Sequence, residues 1–117
     1  MAGSKIGLAA ASLLANERLS APAHFDAEVY SAFRRHFRQG LMSRPELDRT
    51  VIRLVTLAVE RVGLPSLLAV AHSLADQLAA ADAFYVALAR LRHLELVTSD
   101  ARLARAAGSL APVRLVS

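Results

Sequence analysis

The chain has 117 residues, enough for one domain with a proper hydrophobic core. It is 55% apolar, yet no run approaches the roughly 18 apolar residues of a membrane span, and the absence of cysteine excludes disulfides and thiolate metal sites. Net charge is +4 and thirteen of the 14 basic residues are arginine, a composition that suits phosphate contact but that GC-rich coding also produces. Lys5 and a short Ala/Leu segment make a weak signal peptide, because Asn16, Glu17 and Arg18 follow at once. The expected location is therefore the cytoplasm, without a membrane partner.

In chain order, Leu8–Ala15 reads as a short helix, and Leu19–Ala23 as a strand leaving through a turn. Asp26 is placed to N-cap the next helix, whose apolar positions Val29, Tyr30, Phe33 and Phe37 keep helical spacing to a stop at Gln39-Gly40. Ser43-Arg44-Pro45-Glu46 is a capping box with proline in the first turn, opening a helix to about Leu57. A strand over Val59–Val62 follows, then a helix from Gly63 and Pro65 to about Asp76. The next helix, with an alanine-rich lead-in, ends near Arg92-His93. Leu94–Thr98 is a buried-strand candidate, Ala101–Ala107 a helix closed by Gly108, and Val113–Val116 a last strand. Strands alternating with helices at these spacings predict βαβ units, a parallel sheet and a single α/β domain over residues 1–117.

Asp82 is the most informative residue. It stands in the nearly apolar stretch Leu78–Ala89, with no Lys, Arg or His within four residues, so no helical ion pair is available. A carboxylate taken out of water without compensation costs several kcal/mol or gives up its charge. The compensation must be distant in sequence: a base, backbone N–H groups or a metal ion.

In an open parallel sheet, ligands bind beyond the carboxyl ends of the strands. Asp100 follows such an end and Glu28 opens the helix after the first strand, both near helix N-termini that favour ionised carboxylates. If the Asp82 helix packs along the same edge, three acids converge as a hard-cation site. Each also has a plainer reading: Glu28 as a first-turn acid, Asp100 as an N-cap, Asp82 as the cap of a helix starting at Ala83. Thr98 reads as an ordinary strand residue or as a hydroxyl near Asp100. Arg34, Arg35 and Arg38 make a solvated helix face or a contact for a nucleic-acid backbone. Asp76 is ambiguous, and Glu17, Asp48, Glu60 and Glu95 fit solvated faces. His24, His36, His72 and His93 lack zinc-ligand spacing, and neither a glycine-rich phosphate loop nor a GxSxG elbow is present.

Three segments together carry a family resemblance: Pro22–Val29, Ala80–Ala89 and Leu96–Leu103. In this order and at these spacings they resemble PIN-domain proteins, most of all the VapC toxins of bacterial toxin–antitoxin pairs, from about residue 13 to the end. The resemblance implies a three-layer α/β/α sandwich around a parallel sheet, and a Mg²⁺- or Mn²⁺-dependent ribonuclease, usually a homodimer, inhibited by a cognate antitoxin. It matches Glu28, Asp82 and Asp100 to three of the family's four metal-binding acids, with Thr98 in support and Arg34, Arg35 and Arg38 toward the RNA. The implied mechanism is metal-assisted hydrolysis, in which the ion acidifies and orients an attacking water and neutralises the developing charge.

The chain departs from the family at its start. The fourth acid normally ends an apolar first strand, whereas residues 1–16 contain no Asp or Glu. Lys5–Ser12 is either a remnant with alanine in the acid's place or a helix preceding Leu19, which makes the domain N-terminally truncated or degenerate. Three functions compete on this basis: an RNA-cleaving toxin, a catalytically silent relative that still binds an antitoxin, and a relict that folds poorly alone.

Overall fold

A computed structural model describes residues 19–116 of the chain. Strand β1 (Leu19–Pro22) turns into α1 (Phe25–Arg38), and α2 (Arg44–Thr56) returns the chain to β2 (Val59–Val62). β1 and β2 run parallel, with Leu19 opposite Val59 and Pro22 opposite Val62. A single 3₁₀ turn (Leu64–Ser66) and α3 (Leu68–Ser73) lead to α4 (Ala80–Leu91). Strand β3 (Leu96–Thr98), α5 (Ala101–Ala107) and β4 (Val113–Leu115) then form a second parallel unit, with Leu96 opposite Val113 and Thr98 opposite Leu115. These parallel strands and crossover helices are those of an α/β sandwich. Among the described residues the strands form two separate two-stranded parallel sheets, β1–β2 and β3–β4, and not one continuous sheet; α4 packs on both β1 and β3. The candidate helix Leu8–Ala15 and the candidate strand remnant Lys5–Ser12 lie outside the described residues.

Two apolar clusters hold the layers together. Ala21, Phe25, Val29, Phe33, Leu47 and Leu54 join β1, α1 and α2. Around α4, the fully buried Val86 and Ala87 pack with Leu67, Leu74, Leu96, Leu103 and Ala107. Each large side chain buried in this way contributes about 1.5–3 kcal/mol. Tyr85 packs against both clusters.

Local signals set most boundaries. The Ser43 hydroxyl accepts from the Glu46 N–H while the Glu46 carboxylate accepts from the Ser43 N–H, completing the expected capping box. Helix α1 stops as expected at Gly40, whose φ of 76° lets the Leu41 N–H reach back to the His36 carbonyl. Helix α4 ends by the same geometry with His93 (φ 53°) in glycine's usual place, as the Leu94 N–H donates to the Ala89 carbonyl. Strand β3 accordingly begins at Leu96, two residues later than the apolar run suggests.

Three local expectations are corrected. Asp26 does not cap α1: the helix begins at Phe25 with His24 at the cap position, and the Asp26 carboxylate accepts two bonds from the Arg61 guanidinium, 35 residues away. Arg61 also donates to the Leu54, Leu57 and Val59 carbonyls, closing the end of α2. The helix expected from Gly63 to Asp76 is broken into the 3₁₀ turn, α3 and further turns. Its periodicity is nonetheless used, because Leu67, Ala71, Leu74 and Leu78 are all buried. Finally, Asp82 is not the cap of a helix starting at Ala83: Ala79 is the N-cap (ψ 152°), α4 starts at Ala80, and the alanine-rich lead-in is helical from that residue, which puts Asp82 inside the first turn. Alanine favours a helix but specifies no start, and no side-chain cap marks this one.

Candidate active site

The turns after β1 and β3 and the first turn of α4 place three carboxylates at one edge of the sandwich. Glu28 lies in the first turn of α1, Asp82 in the first turn of α4, and Asp100 immediately before α5. Parallel strands put the starts of α1 and α5 beyond strand carboxyl ends, where this architecture binds ligands. His24 joins α4 to that edge. Its Nε2 lies 3.2 Å from the Ala81 carbonyl oxygen, and since a carbonyl only accepts, Nε2 carries the proton. The same nitrogen is 3.6 Å from Glu28 Oε1, and the ring meets Phe84 and Tyr85 edge-on at 5.5 and 5.0 Å. His24 Nδ1 is buried without a hydrogen-bond partner among the described residues.

The three acids are held differently. Asp100 Oδ1 accepts from the Arg102 and Leu103 N–H groups, so the N-cap reading of this residue is correct as geometry. The Thr98 hydroxyl, buried at the end of β3, accepts from the Asp100 N–H at 3.0 Å and fixes the backbone on which that carboxylate is mounted. Glu28 Oε1 accepts from the Tyr85 hydroxyl at 2.7 Å. The Asp82 carboxylate accepts no hydrogen bond from a described residue. Burial pushes its pKa up; Arg102 and His24 pull it down, while the charges of Asp100 and Glu28 push it further up. The net direction is upward because burial of the Asp82 carboxyl outweighs the pull of Arg102. Tyr85 is held well above the ordinary phenol range, by burial first and then by its bond to Glu28.

The donor set suits a hard divalent ion: carboxylate oxygens only, repelling one another, with Asp100 Oδ2, Glu28 Oε2 and both Asp82 oxygens unclaimed by hydrogen bonds from described residues. No three Asp, Glu or His side chains among the described residues come close enough to cage an ion unaided. An ion held here would keep part of its water shell, as Mg²⁺ usually does. Arg34, Arg35 and Arg38 are exposed on α1, and the Arg34 guanidinium lies 5.7 Å from the centre of the Tyr30 ring.

Sequence reasoning passed over three residues of this edge. His24 and Tyr85 each act on partners 57 residues away, a separation no local pattern reveals. A phenol at helical spacing within an apolar face was the available signal, since a buried hydroxyl needs a partner. Arg102, 3.8 Å from Asp100 Oδ2, was overlooked beside its acidic neighbour.

Comparison with known proteins agrees with the fold. The PIN domain family matches residues 1–109. Ribonuclease VapC3 of Mycobacterium tuberculosis is 48% identical over 93 residues, 80% of this chain and 68% of that protein. Ribonuclease VapC12 of the same organism is 38% identical over 111 residues, covering 95% and 86%. Ribonuclease VapC9 is 33% identical over 104 residues, covering 89% and 82%.

Proposed function

Because the chain belongs to the PIN domain family, among its VapC-type members, we propose that it is an endoribonuclease toxin of a toxin–antitoxin pair, hydrolysing RNA phosphodiester bonds with Mg²⁺ or Mn²⁺. The observation that carries this reading is Asp82: a carboxylate in a half-buried helix start, without a hydrogen-bond donor among the described residues, and repelled by two further acids. The helix start, Arg102 and His24 favour this charge, but burial outweighs them, and a cation would supply the missing compensation. When bound, the ion supplies Lewis-acid polarisation and charge neutralisation at the phosphodiester.

The protein's own side chains have separate tasks in this proposal. Asp82, Asp100 and Glu28 hold the ion through their unclaimed oxygens. Thr98 fixes Asp100 by accepting its backbone N–H. The positive ends of α1 and α4 favour the ionised state of the acids in their first turns. Arg34, Arg35 and Arg38 attract the RNA backbone without reading its sequence. The partners are RNA, a cognate antitoxin and a second copy of the chain, and the proposed compartment is the cytoplasm. No described helix is long and apolar enough to cross a membrane.

The test is cleavage of a total-RNA pool by the purified chain in Mg²⁺ or Mn²⁺, beside Asp82→Asn. Metal-dependent cutting that disappears in the variant is the expected result. A folded wild-type chain that cuts no RNA under either ion would overturn the proposal.

A further inference from the structure

Tyr85 has a place that packing alone does not require. It lies three residues after Asp82 on α4, one turn along the helix, and its hydroxyl crosses to α1 to meet Glu28 Oε1 at 2.7 Å. Its ring packs against both apolar clusters and stands edge-on to His24 at 5.0 Å, so the hydroxyl is mounted on a fixed support. A phenylalanine would fill the same apolar space. The hydroxyl adds one contact, and that contact falls on a carboxylate of the proposed site.

The chemistry of the contact is directional. A glutamate side chain has several rotatable bonds, and holding its carboxylate in one orientation costs rotamer entropy. Donation from the Tyr85 hydroxyl to Oε1 fixes one end of the carboxylate. Oε2 is left without a hydrogen bond from a described residue. Outer partners of this kind orient the groups that bind a metal, and their loss typically weakens affinity or activity about 10–100-fold. Resting on the metal-dependent reading above, the geometry points to Tyr85 as a positioning residue that holds Glu28 by Oε1 and presents Oε2 to a divalent cation. It also ties the helix carrying Glu28 to the helix carrying Asp82.

The test is a double-mutant cycle read by Mn²⁺ binding, followed through loss of the free-ion paramagnetic resonance signal, at a temperature where all four proteins are folded. The proteins are wild type, Tyr85→Phe, Glu28→Gln and the double variant. Tyr85→Phe is expected to weaken Mn²⁺ binding about tenfold, and the double variant to bind no more weakly than Glu28→Gln alone. Wild-type affinity in Tyr85→Phe overturns the proposal. So does an equal loss on adding Tyr85→Phe to Glu28→Gln, because a hydroxyl acting through general packing would act in both backgrounds. If wild type binds no Mn²⁺, or Glu28→Gln changes nothing, the metal reading of Glu28 itself fails and the role of Tyr85 falls with it. Those two failures are therefore distinguishable.

Discussion

The starts of α4 and α5 each carry an aspartate, Asp82 inside the first turn and Asp100 as the N-cap, and treat it in opposite ways. Asp100 is engaged by its own helix: two backbone N–H groups converge on one oxygen, and Thr98 holds its backbone from behind. Asp82 shares the favourable end of a helix dipole but accepts no hydrogen bond from a described residue, and burial penalises its charge. One carboxylate helps the protein fold. The other is tolerated by it. A group that costs stability where a neutral residue would fit is a strong pointer to a ligand, whereas a group that caps a helix has a sufficient reason to exist without one. Any role Asp100 has at a metal is additional to its structural role.

The largest way to break this contrast is Asp82→Asn. In the proposed ribonuclease, the loss of cleavage should exceed the 10–100-fold typical for an outer-shell partner. The same variant in metal-free buffer should melt at or above the wild-type temperature, because it removes a charge whose burial outweighs the pull of Arg102 and His24. A melting curve with EDTA checks this, and a markedly less stable Asp82→Asn would show that the carboxylate has a structural partner after all.

Ion binding should sharpen the contrast next. A ligand at 100 times its dissociation constant stabilises the folded state by about 2.7 kcal/mol. Adding Mg²⁺ or Mn²⁺ should therefore raise the melting temperature of wild type by several degrees and that of Asp82→Asn by little. Equal shifts in both proteins would place the ion elsewhere.

The pH dependence has a definite sign. The folded pKa of Asp82 is raised above the ordinary 3.8, so the folded state holds this proton more tightly than the unfolded chain. Between 3.8 and the raised value, Asp82 makes stability fall as pH rises, and above that window the full penalty is present. Glu46 acts oppositely: the Ser43 backbone and hydroxyl hold its carboxyl below the ordinary value, so its contribution is lost as pH falls. Subtracting the Asp82→Asn profile from wild type, without metal, isolates Asp82. The difference should favour wild type increasingly as pH falls through the window.

How far the sequence discloses this arrangement depends on the range of the interaction. The capping box at Ser43, the stop at Gly40 and the strand at Val59 are written in neighbouring residues, and the structure follows them. The isolation of Asp82 was legible for the same reason, since the absence of a base within a helical turn is a local fact. Its position in the first turn of α4 was not, because alanine favours a helix without fixing its start and Ala79 caps α4 with no side-chain bond. Asp26 misled because an available cap was taken instead by Arg61 across the fold. Tyr85 and His24 were illegible because their partners are 57 residues away, and which two helix starts face each other is a property of the packed layers.

The smallest expected effect separates the two roles of Asp100. Asparagine caps a helix about as well as aspartate, so Asp100→Asn should keep the bonds to the Arg102 and Leu103 N–H groups and melt near wild type. Asp100→Ala deletes the cap and should cost about 1 kcal/mol, a shift of roughly 4–8 °C for a domain near this size. If Asp100 also holds the cation, both substitutions should depress cleavage, and the asparagine variant would do so with its fold intact. If Asp100 is only a cap, Asp100→Asn would cleave like wild type, and a site of Asp82 and Glu28 would have to recruit its remaining oxygens from water or RNA phosphate. The asparagine variant is the more informative of the two, since charge at Asp100 is the one property it changes and the backbone bonds are those it preserves.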